Sequence, residues 1–351
     1  MKKSKIKVIV RVILAIGTII SLFYVPWILI WAWVVPLPDT VAEQVEKATE
    51  LGFDGIVVYV DEGGRPPAFY AAGWKNTEEK IPADPHALFK VASVSKLYTA
   101  VAITKLVTEG RLSLDKTLVD YFPNLEGRIE NADSITIRML VQHRSGIPNY
   151  TDTFNYWAAP KANNADRLEL ILDLPADFKP GQDFEYSNTN YLLLAELIEK
   201  VTGQDRFAYI KTEILDPLHL ENTFGSIHDV ELDEVMSGYY VGYDGDLKTD
   251  DNDSILATAE DLGMFLRALN EGTMFKDEKE QGIYSSLYRY DHTGLIPGYQ
   301  TIAKYHKDID TVIIQFTNTV DFEGYNWNLS EIIYSRIVKI VRRETKDSLG
   351  I

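Results

Sequence analysis

The chain contains no cysteine in its 351 residues. That excludes disulfides, thiolate nucleophiles, iron–sulfur clusters and acylation of a lipoprotein cysteine, without fixing the redox compartment. Its six histidines include no His-x-His or His-Glu-x-x-His spacing, so neither a metal nor a metal cofactor is expected. There is no Gly-x-Ser-x-Gly nucleophile elbow, no internal repeat and no low-complexity tract. Basic residues are scarce, 35 Lys and Arg against 52 Asp and Glu. The first 38 residues hold five of the basic residues and no acid, so residues 39–351 carry a net charge of −22. A surface that acidic repels phosphate backbones, which argues against nucleic acid as a partner and disfavours strongly anionic polymers as substrates.

Polar composition is also missing from one long stretch. Lys2, Lys3, Lys5, Lys7 and Arg11 precede an uncharged run of 27 residues from Val12 to Pro38. About 20 residues suffice to cross a bilayer. Trp27, Trp31, Trp33 and Tyr24 lie toward its distal half, where an aromatic belt meets the outer interface. The alternative is a cleaved signal peptide, but such apolar regions run to roughly 7–15 residues and end in an Ala-x-Ala-like site. This run is longer, and no such site follows it. The pattern predicts a cytoplasmic basic tail over 1–11 and a single-pass transmembrane signal anchor over 12–38, with Pro26 kinking the helix. Everything from residue 39 onward is then expected outside the cell membrane.

Along the remainder, Thr40–Leu51 reads as a short helix. Phe53–Val60 and Pro67–Trp74 flank Asp61-Glu62-Gly63-Gly64, a hairpin signal. No Gly or Pro interrupts Ser93–Glu109, whose apolar residues spread around most of the helix, as in a buried one. From Tyr121 to Asn270 helical periods dominate, with loops near Asn149–Thr153, Pro160–Ala165 and Lys179–Asp183 and a clear helix over Tyr191–Val201. Tyr299–His306 and Thr311–Thr317 predict a second hairpin, and Asn328–Val341 a closing helix. Strands, then helices, then strands fit an α+β fold: an antiparallel sheet flanked by helices, with an all-helical subdomain inserted at roughly 121–270. The acid cluster Asp250–Asp253 reads as a solvated loop, because its oxygen ligands lack loop-motif spacing.

Three short patterns carry chemistry: Ser93-Val94-Ser95-Lys96, Tyr186-Ser187-Asn188 and His292-Thr293-Gly294. A serine hydroxyl is a weak nucleophile until something takes its proton. Residues three apart share a helix face, so Ser93 and Lys96 place a hydroxyl beside an amine. A helix start also offers a backbone N–H to an oxyanion. Each pattern alone has an ordinary reading. Ser93 could be a helix cap, Tyr186 a packing residue and His292-Thr293-Gly294 a strand end. Ser4 and Lys7 repeat the Ser-x-x-Lys spacing in the basic tail, where it cannot mean this chemistry. The ordered set of three is what carries the inference.

That set resembles the serine β-lactamase and penicillin-binding protein family, and within it the class C β-lactamase, D-alanyl-D-alanine carboxypeptidase and esterase branch. The flanks agree. Phe89-Lys90-Val91-Ala92 is similar to the family's approach to its nucleophile. Ile135–Pro148, ITIRMLVQHRSGIP, resembles the segment usually written ITIRHLLTHTSGLP. Pro180-Gly181 and Phe184–Leu194 resemble the run around Tyr-x-Asn, and Leu215-Asp216-Pro217-Leu218 with Asn222-Thr223 resembles a Leu-x-Pro-Leu-Gly-Met-x-x-Thr stretch. The similarity covers about residues 45–340. It implies Ser93 as the acylated nucleophile, with Lys96 and Tyr186 as the proton-transfer pair, either of which could be the initial base. It also implies Asn188 orienting substrate and Lys96, and the backbone N–H groups of Ser93 and Leu295 as an oxyanion hole. Thr293, Gly294 and His292 would line the substrate.

The departures are as informative. The family mostly carries Lys-Thr-Gly where this chain has His292, and an unperturbed His, with a pKa of about 6.5, is mostly neutral at pH 7. Arg144 stands where a Thr is usual; it either substitutes a charge or caps a loop. His143 reads as structural. The expectation is a membrane-anchored extracytoplasmic serine hydrolase acting on a small or cell-wall-derived ester or amide. An esterase or D-amino-acid peptidase fits better than an efficient β-lactamase. The alternative is a catalytically silent ectodomain with a binding or regulatory role.

Overall fold

The computed structural model describes residues 2–161, 163–252 and 254–349. The chain begins with helix α1 (Lys2–Leu22), breaks at Phe23–Pro26 and continues as α2 (Trp27–Val34), bent by 74° from the first. Pro26, which brings no N–H to a helix ladder, stands immediately before α2. The single kinked span expected over 12–38 is therefore two helices. Among the described residues no single helix is long and apolar enough to cross a membrane.

Helix α3 (Val41–Thr49) starts at Thr40, whose hydroxyl accepts the Glu43 N–H at 3.2 Å. Strands β1 (Gly55–Glu62), β2 (Ala68–Asn76) and β3 (Ile81–Pro82) follow, and then the long buried helix α4 (Ser95–Thr108). After a segment of short helices and loops come α5 (Asn188–Thr202), α6 (Ala259–Glu271) and α7 (Glu278–Leu287). The chain ends with β4 (His292–Ile296), β5 (Tyr299–His306), β6 (Thr311–Thr317) and α8 (Asn326–Leu349). The six strands form one antiparallel sheet in the order β3-β2-β1-β6-β5-β4, built from both ends of the chain. Both hairpins fall where the turn residues place them, with Val60 opposite Ala68 and His306 opposite Thr311.

Side chains alternate across a strand, so β1 and β6 each feed two cores. Val57, Tyr59, Ile314 and Phe316 enter a large core with α4, α5 and α6. Ile56, Val58, Val60 and Ile313 enter a second core with α3 and α8. Burial on both faces is why the strands read as continuous apolar runs rather than as alternation.

The inserted segment is not all-helical. It holds three short strands, Thr223–Phe224, Tyr239–Tyr240 and Leu256–Ala257. Two residues are too few to leave a period-2 signal. One of them matters for the site: Leu256–Ala257 pairs with Phe89–Lys90, just ahead of Ser93.

Candidate active site

The helix carrying Ser93 does not begin at Ser93. A 3₁₀ turn, Ala92–Val94, delivers the serine to the first turn of α4. Ala92 sits at φ 52°, a left-handed conformation that costs a non-glycine residue roughly 1–2 kcal/mol. Hydrogen bonds from the next segment hold it there. The Ala92 N–H donates to Ser254 Oγ at 2.8 Å and the Val91 N–H to the Ile255 carbonyl at 2.9 Å. The Ile255 N–H in turn donates to Ser95 Oγ at 3.1 Å. On the other side, Gly294 of the edge strand β4 lies against the turn. Any side chain there would place its Cβ 2.3 Å from the Val91 carbonyl oxygen and 3.0 Å from Ala92 Cβ. The glycine of the third motif is thus required by close approach.

Ser93 Oγ accepts two hydrogen bonds, from Lys96 Nζ at 3.2 Å and from the Tyr186 hydroxyl at 2.8 Å. Two of the three motifs therefore converge on one oxygen, although Tyr186 is 93 residues away in sequence. Lys96 is buried, with its ammonium 5.1 Å from the Tyr186 ring centre and 5.6 Å from that of Tyr191. Aromatic faces are a favourable environment for a cation that has left water. Tyr191, in α5, is fixed by donating its hydroxyl to the Val141 carbonyl at 3.1 Å.

Two histidines flank this centre, and both are neutral. His143 stacks on Tyr186 with ring centres 4.5 Å apart. Its Nδ1 accepts the Ser187 N–H at 3.2 Å, which places its proton on Nε2. Burial, helped by the Lys96 charge, lowers its pKa to about 3. His292 is 5 % exposed, and burial followed by Lys96 lowers its pKa to about 3 as well. Its Nδ1 faces the Thr293 carbonyl, so Nε2 accepts from the Tyr288 hydroxyl at 2.9 Å. The residue at the family's lysine position thus brings no positive charge to the site.

The remaining predicted residues divide. Leu295 lines the same cavity as Ser93, Lys96 and Asn188, a space of about 90 Å³. The Asn188 carboxamide donates to Thr151 Oγ1 at 3.1 Å, and its backbone N–H to Asn149 Oδ1 at 2.9 Å. No hydrogen bond joins it to Lys96 among the described residues. Thr293 is not brought to the centre. Its partner across the ladder is Ile302, which belongs to the core under α8, whereas His292 pairs with Ala303 on the Ser93 side. With His292 and Gly294 facing the site, alternation turns Thr293 to the other face. Arg144 hydrogen-bonds the Gly181 carbonyl, which fixes a loop.

A larger cleft of about 820 Å³ opens from this cavity and shares Thr151, Trp157 and Asn252 with it. Tyr156, Tyr240, Tyr243 and Phe322 add aromatic wall. Asp250 and Asp251 of the acid cluster sit exposed on its rim, and Asp253 lies outside the described residues. That rim is tied down from below by Lys90, whose buried Nζ donates to the Leu247 carbonyl at 2.9 Å and the Asp250 carbonyl at 2.6 Å. Burial pushes the Lys90 pKa down to about 8, against the pull of Asp250 and Asp251. Among the described residues no group of three or more His, Asp or Glu could hold a metal ion.

Sequence reasoning missed His143 as a wall of the centre, together with Tyr191, Tyr288, Ser254 and Lys90. None belongs to a motif. His143, Tyr191 and Lys90 carried a signal, by lying in segments that resemble the family.

The geometry can be set beside known proteins. Protein flp of Staphylococcus aureus (strain N315) is 36% identical over 189 residues, covering 52% of this chain and 38% of that protein. The chain thus matches well under half of that relative's length. Penicillin-binding protein 4* of Bacillus subtilis (strain 168) is 26% identical over 322 residues, 78% of this chain and 70% of that one. The solved structure of D-amino acid amidase from Ochrobactrum anthropi SV3 complexed with L-phenylalanine amide superposes with a TM-score of 0.76 at 20% identity, covering 87% of this chain and 98% of the other. The Beta-lactamase family model matches residues 39–289. With that match over most of the chain and Ser93, Lys96 and Tyr186 meeting at one oxygen, this protein belongs to the beta-lactamase family.

Proposed function

We propose that this protein is a membrane-anchored, extracytoplasmic serine hydrolase that cleaves an amide or ester through an acyl-enzyme on Ser93. The observation that carries the reading is the Ser93 oxygen held jointly by Lys96 Nζ and the Tyr186 hydroxyl beside an open cavity. Ser93 Oγ attacks the substrate carbonyl carbon while its proton passes to the Lys96–Tyr186 pair, which takes it after losing one proton to solvent, as Lys96 amine or Tyr186 phenolate. The carbonyl oxygen becomes an oxyanion, for which the backbone N–H groups of Ser93 and Leu295 are the assigned donors. Collapse breaks the bond to the leaving nitrogen or oxygen, which takes the proton back from the pair. Water then attacks the ester formed on Ser93, with the pair again relaying the proton, and the free acid leaves.

The substrate we favour is one whose reacting end needs no carboxylate. Neutral His292 does not supply the charge of the family's lysine, and Arg144 bonds the Gly181 carbonyl. The cation beside the centre is Arg289, which lines a neighbouring cavity with Tyr186 and His292 and is where a substrate carboxylate would be held if one is bound. An amino-acid amide, the class named for the structurally similar amidase, has no such carboxylate. The aromatic cleft beside Ser93 suits an apolar side chain on it. Membrane attachment rests on α1, whose described side chains from Lys7 to Leu22 are all exposed although most are apolar. Two hydroxyls in this helix bond its own carbonyls, Thr18 to Leu14 at 2.9 Å and Ser21 to Thr18 at 2.8 Å.

Active-site labelling tests this. A fluorophosphonate probe is expected to label the full chain and to leave Ser93→Ala unlabelled. A fluorescent penicillin, which carries a carboxylate, is expected to label at least tenfold more slowly. Absence of labelling by both reagents on demonstrably folded protein overturns the enzyme reading in favour of a silent ectodomain. Rapid penicillin labelling overturns the substrate assignment alone.

A further inference from the structure

The distal half of the apolar N-terminal run behaves differently from the proximal half. Helix α1 projects free of the domain, whereas α2 lies down on it. Ala32 is 2 % exposed, and Leu29 and Leu37 pack with it against the core under α8. Arg336 of α8 reaches the carbonyls of Val35 and Pro36 at 2.9 Å each and Gln44 Oε1 at 2.6 Å. Arg343 donates to the carbonyls of Pro38 and Asp39 at 2.8 and 2.7 Å. Lys339 places its ammonium 4.6 Å from the centre of the Trp33 ring. Three cations spaced along one helix thus fasten α2 and the segment behind it to the catalytic domain.

Among the described residues the opposite face of α2 is left exposed. Trp27, Trp31 and Val34, four and three residues apart, are 54, 49 and 67 % exposed. Phe23 and Tyr24 at the break are more than 80 % exposed. This face carries no charge and is continuous with the apolar surface of α1. At the break, the Trp27 indole N–H caps the Leu22 carbonyl at 2.9 Å, so the corner leaves that acceptor satisfied.

We propose that α2 is an in-plane helix of the outer membrane interface, its Trp27/Trp31/Val34 face sunk into the headgroup–acyl boundary, and that it seats the catalytic domain directly on the bilayer. The occupant of this face is lipid. Tryptophan and tyrosine concentrate at that boundary, where an apolar ring can be buried while its polar edge stays wet. An amphipathic seat of this kind enters about 5–10 Å. The reading rests on the membrane attachment proposed above, with α1 entering the bilayer. By itself α1 falls short of a span. Only with the corner residues Phe23 and Tyr24 does the stretch from Val8 reach about 17 residues, the lower end of the spanning range, with Lys7 and Arg11 snorkelling to the inner face. Because Ala32 and Leu29 of α2 pack on the domain, Lys339 sits over Trp33, and Arg336 and Arg343 hold the segment that follows α2, the domain keeps one fixed tilt on the membrane instead of swinging on a stalk.

The absence of cysteine makes the test clean. Single variants Trp27→Cys, Trp31→Cys and Val34→Cys of the full chain are spin-labelled and reconstituted in phosphatidylcholine–phosphatidylglycerol bilayers. Fluorophosphonate labelling of each confirms the fold. Power saturation against oxygen and a nickel chelate reads depth. The expected result is one shallow depth for all three labels. A helix continuing through the bilayer would separate the first and last by about 10 Å at 1.5 Å per residue, and that gradient overturns the proposal while leaving the anchor intact. Strong spin–spin coupling without oxygen accessibility means a second copy covers the face, which also overturns it. A chain that remains in the supernatant on flotation overturns the anchor itself, and the seat with it.

Discussion

On one face of the central sheet, Val57, Tyr59, Ile314 and Phe316 pack under α4, α5 and α6; on the other, Ile56, Val58, Val60 and Ile313 pack under α3 and α8. Both cores are closed and apolar, but they hold different kinds of polar group. The first surrounds Ala92 and His143, both at positive φ, and two histidines kept neutral by burial. The second is crossed by Arg336, a cation fully engaged with carbonyls and an amide. The first face thus holds left-handed Ala92 and His143 where chemistry is proposed, and the second holds a cation with all its bonds satisfied where the domain meets its N-terminal helices, although burial lowers the pKa of His306 and Arg336 there too. The comparison predicts that damage to the first face removes activity, whereas damage to the second removes stability alone.

The largest effect is expected at Gly294. Gly294→Val must push β4 away from Val91 and Ala92, because even the Cβ lies 2.3 Å from a backbone oxygen. That displaces Leu295 from Ser93 and opens the proposed oxyanion site. Turnover of a p-nitrophenyl ester should fall on the order of 100-fold or more. A variant that keeps near-normal turnover would mean that β4 is not the wall of the reacting centre.

The next effect is a pH dependence carried by His292. Its folded pKa is about 3 against an ordinary 6.5. Between those values the unfolded chain binds a proton that the folded chain does not, so stability rises with pH there. The contribution is whole above pH 6.5 and is lost as pH falls toward 3, at up to about 1.4 kcal/mol per pH unit. His292→Gln keeps a neutral polar group without the titration. The thermal midpoint of the wild type should drop more steeply than that of the variant between pH 6 and 4, and parallel curves would remove the histidine from the account.

The sheet, both hairpins and the pairing of Ser93 with Lys96 were legible in the sequence, because each leaves a local mark: an apolar run, a turn cluster or a three-residue spacing; Tyr186 was expected beside them only through the family resemblance. The orientation of Thr293 was legible in principle from strand alternation alone, but only once the strand was known to be an edge facing Ser93. Three things left no local mark. The strand Leu256–Ala257 is two residues long, Ser254 acts on a turn 162 residues away, and the docking of α2 depends on arginines about 300 residues later. The uncharged run over 12–38 therefore looked like one span. Its composition is uniform, and the break at Phe23–Pro26 becomes meaningful only when α8 supplies a surface for the second half.

The smallest of these effects tests the second face. Arg336 is 5 % exposed and makes three hydrogen bonds. Arg336→Gln is too short to reach the Val35 and Pro36 carbonyls together with Gln44, so partly buried acceptors lose their donors. The cost is about 2 kcal/mol, since a hydrogen bond to a charged group contributes about 1.5–3 kcal/mol and water can replace part of it. Arg343→Gln should cost less, about 0.5 kcal/mol, because the carbonyl it serves at Asp39 is exposed. In detergent, the thermal midpoint of the full chain should fall by a few degrees for Arg336→Gln, while kcat/KM on a p-nitrophenyl ester stays within twofold of wild type. If kcat/KM instead falls in step with stability, the two faces are coupled through β1 and β6, and the division of labour between them does not hold. If stability does not move, α2 rests on the domain without being fastened to it, and the fixed tilt on the membrane goes with that fastening.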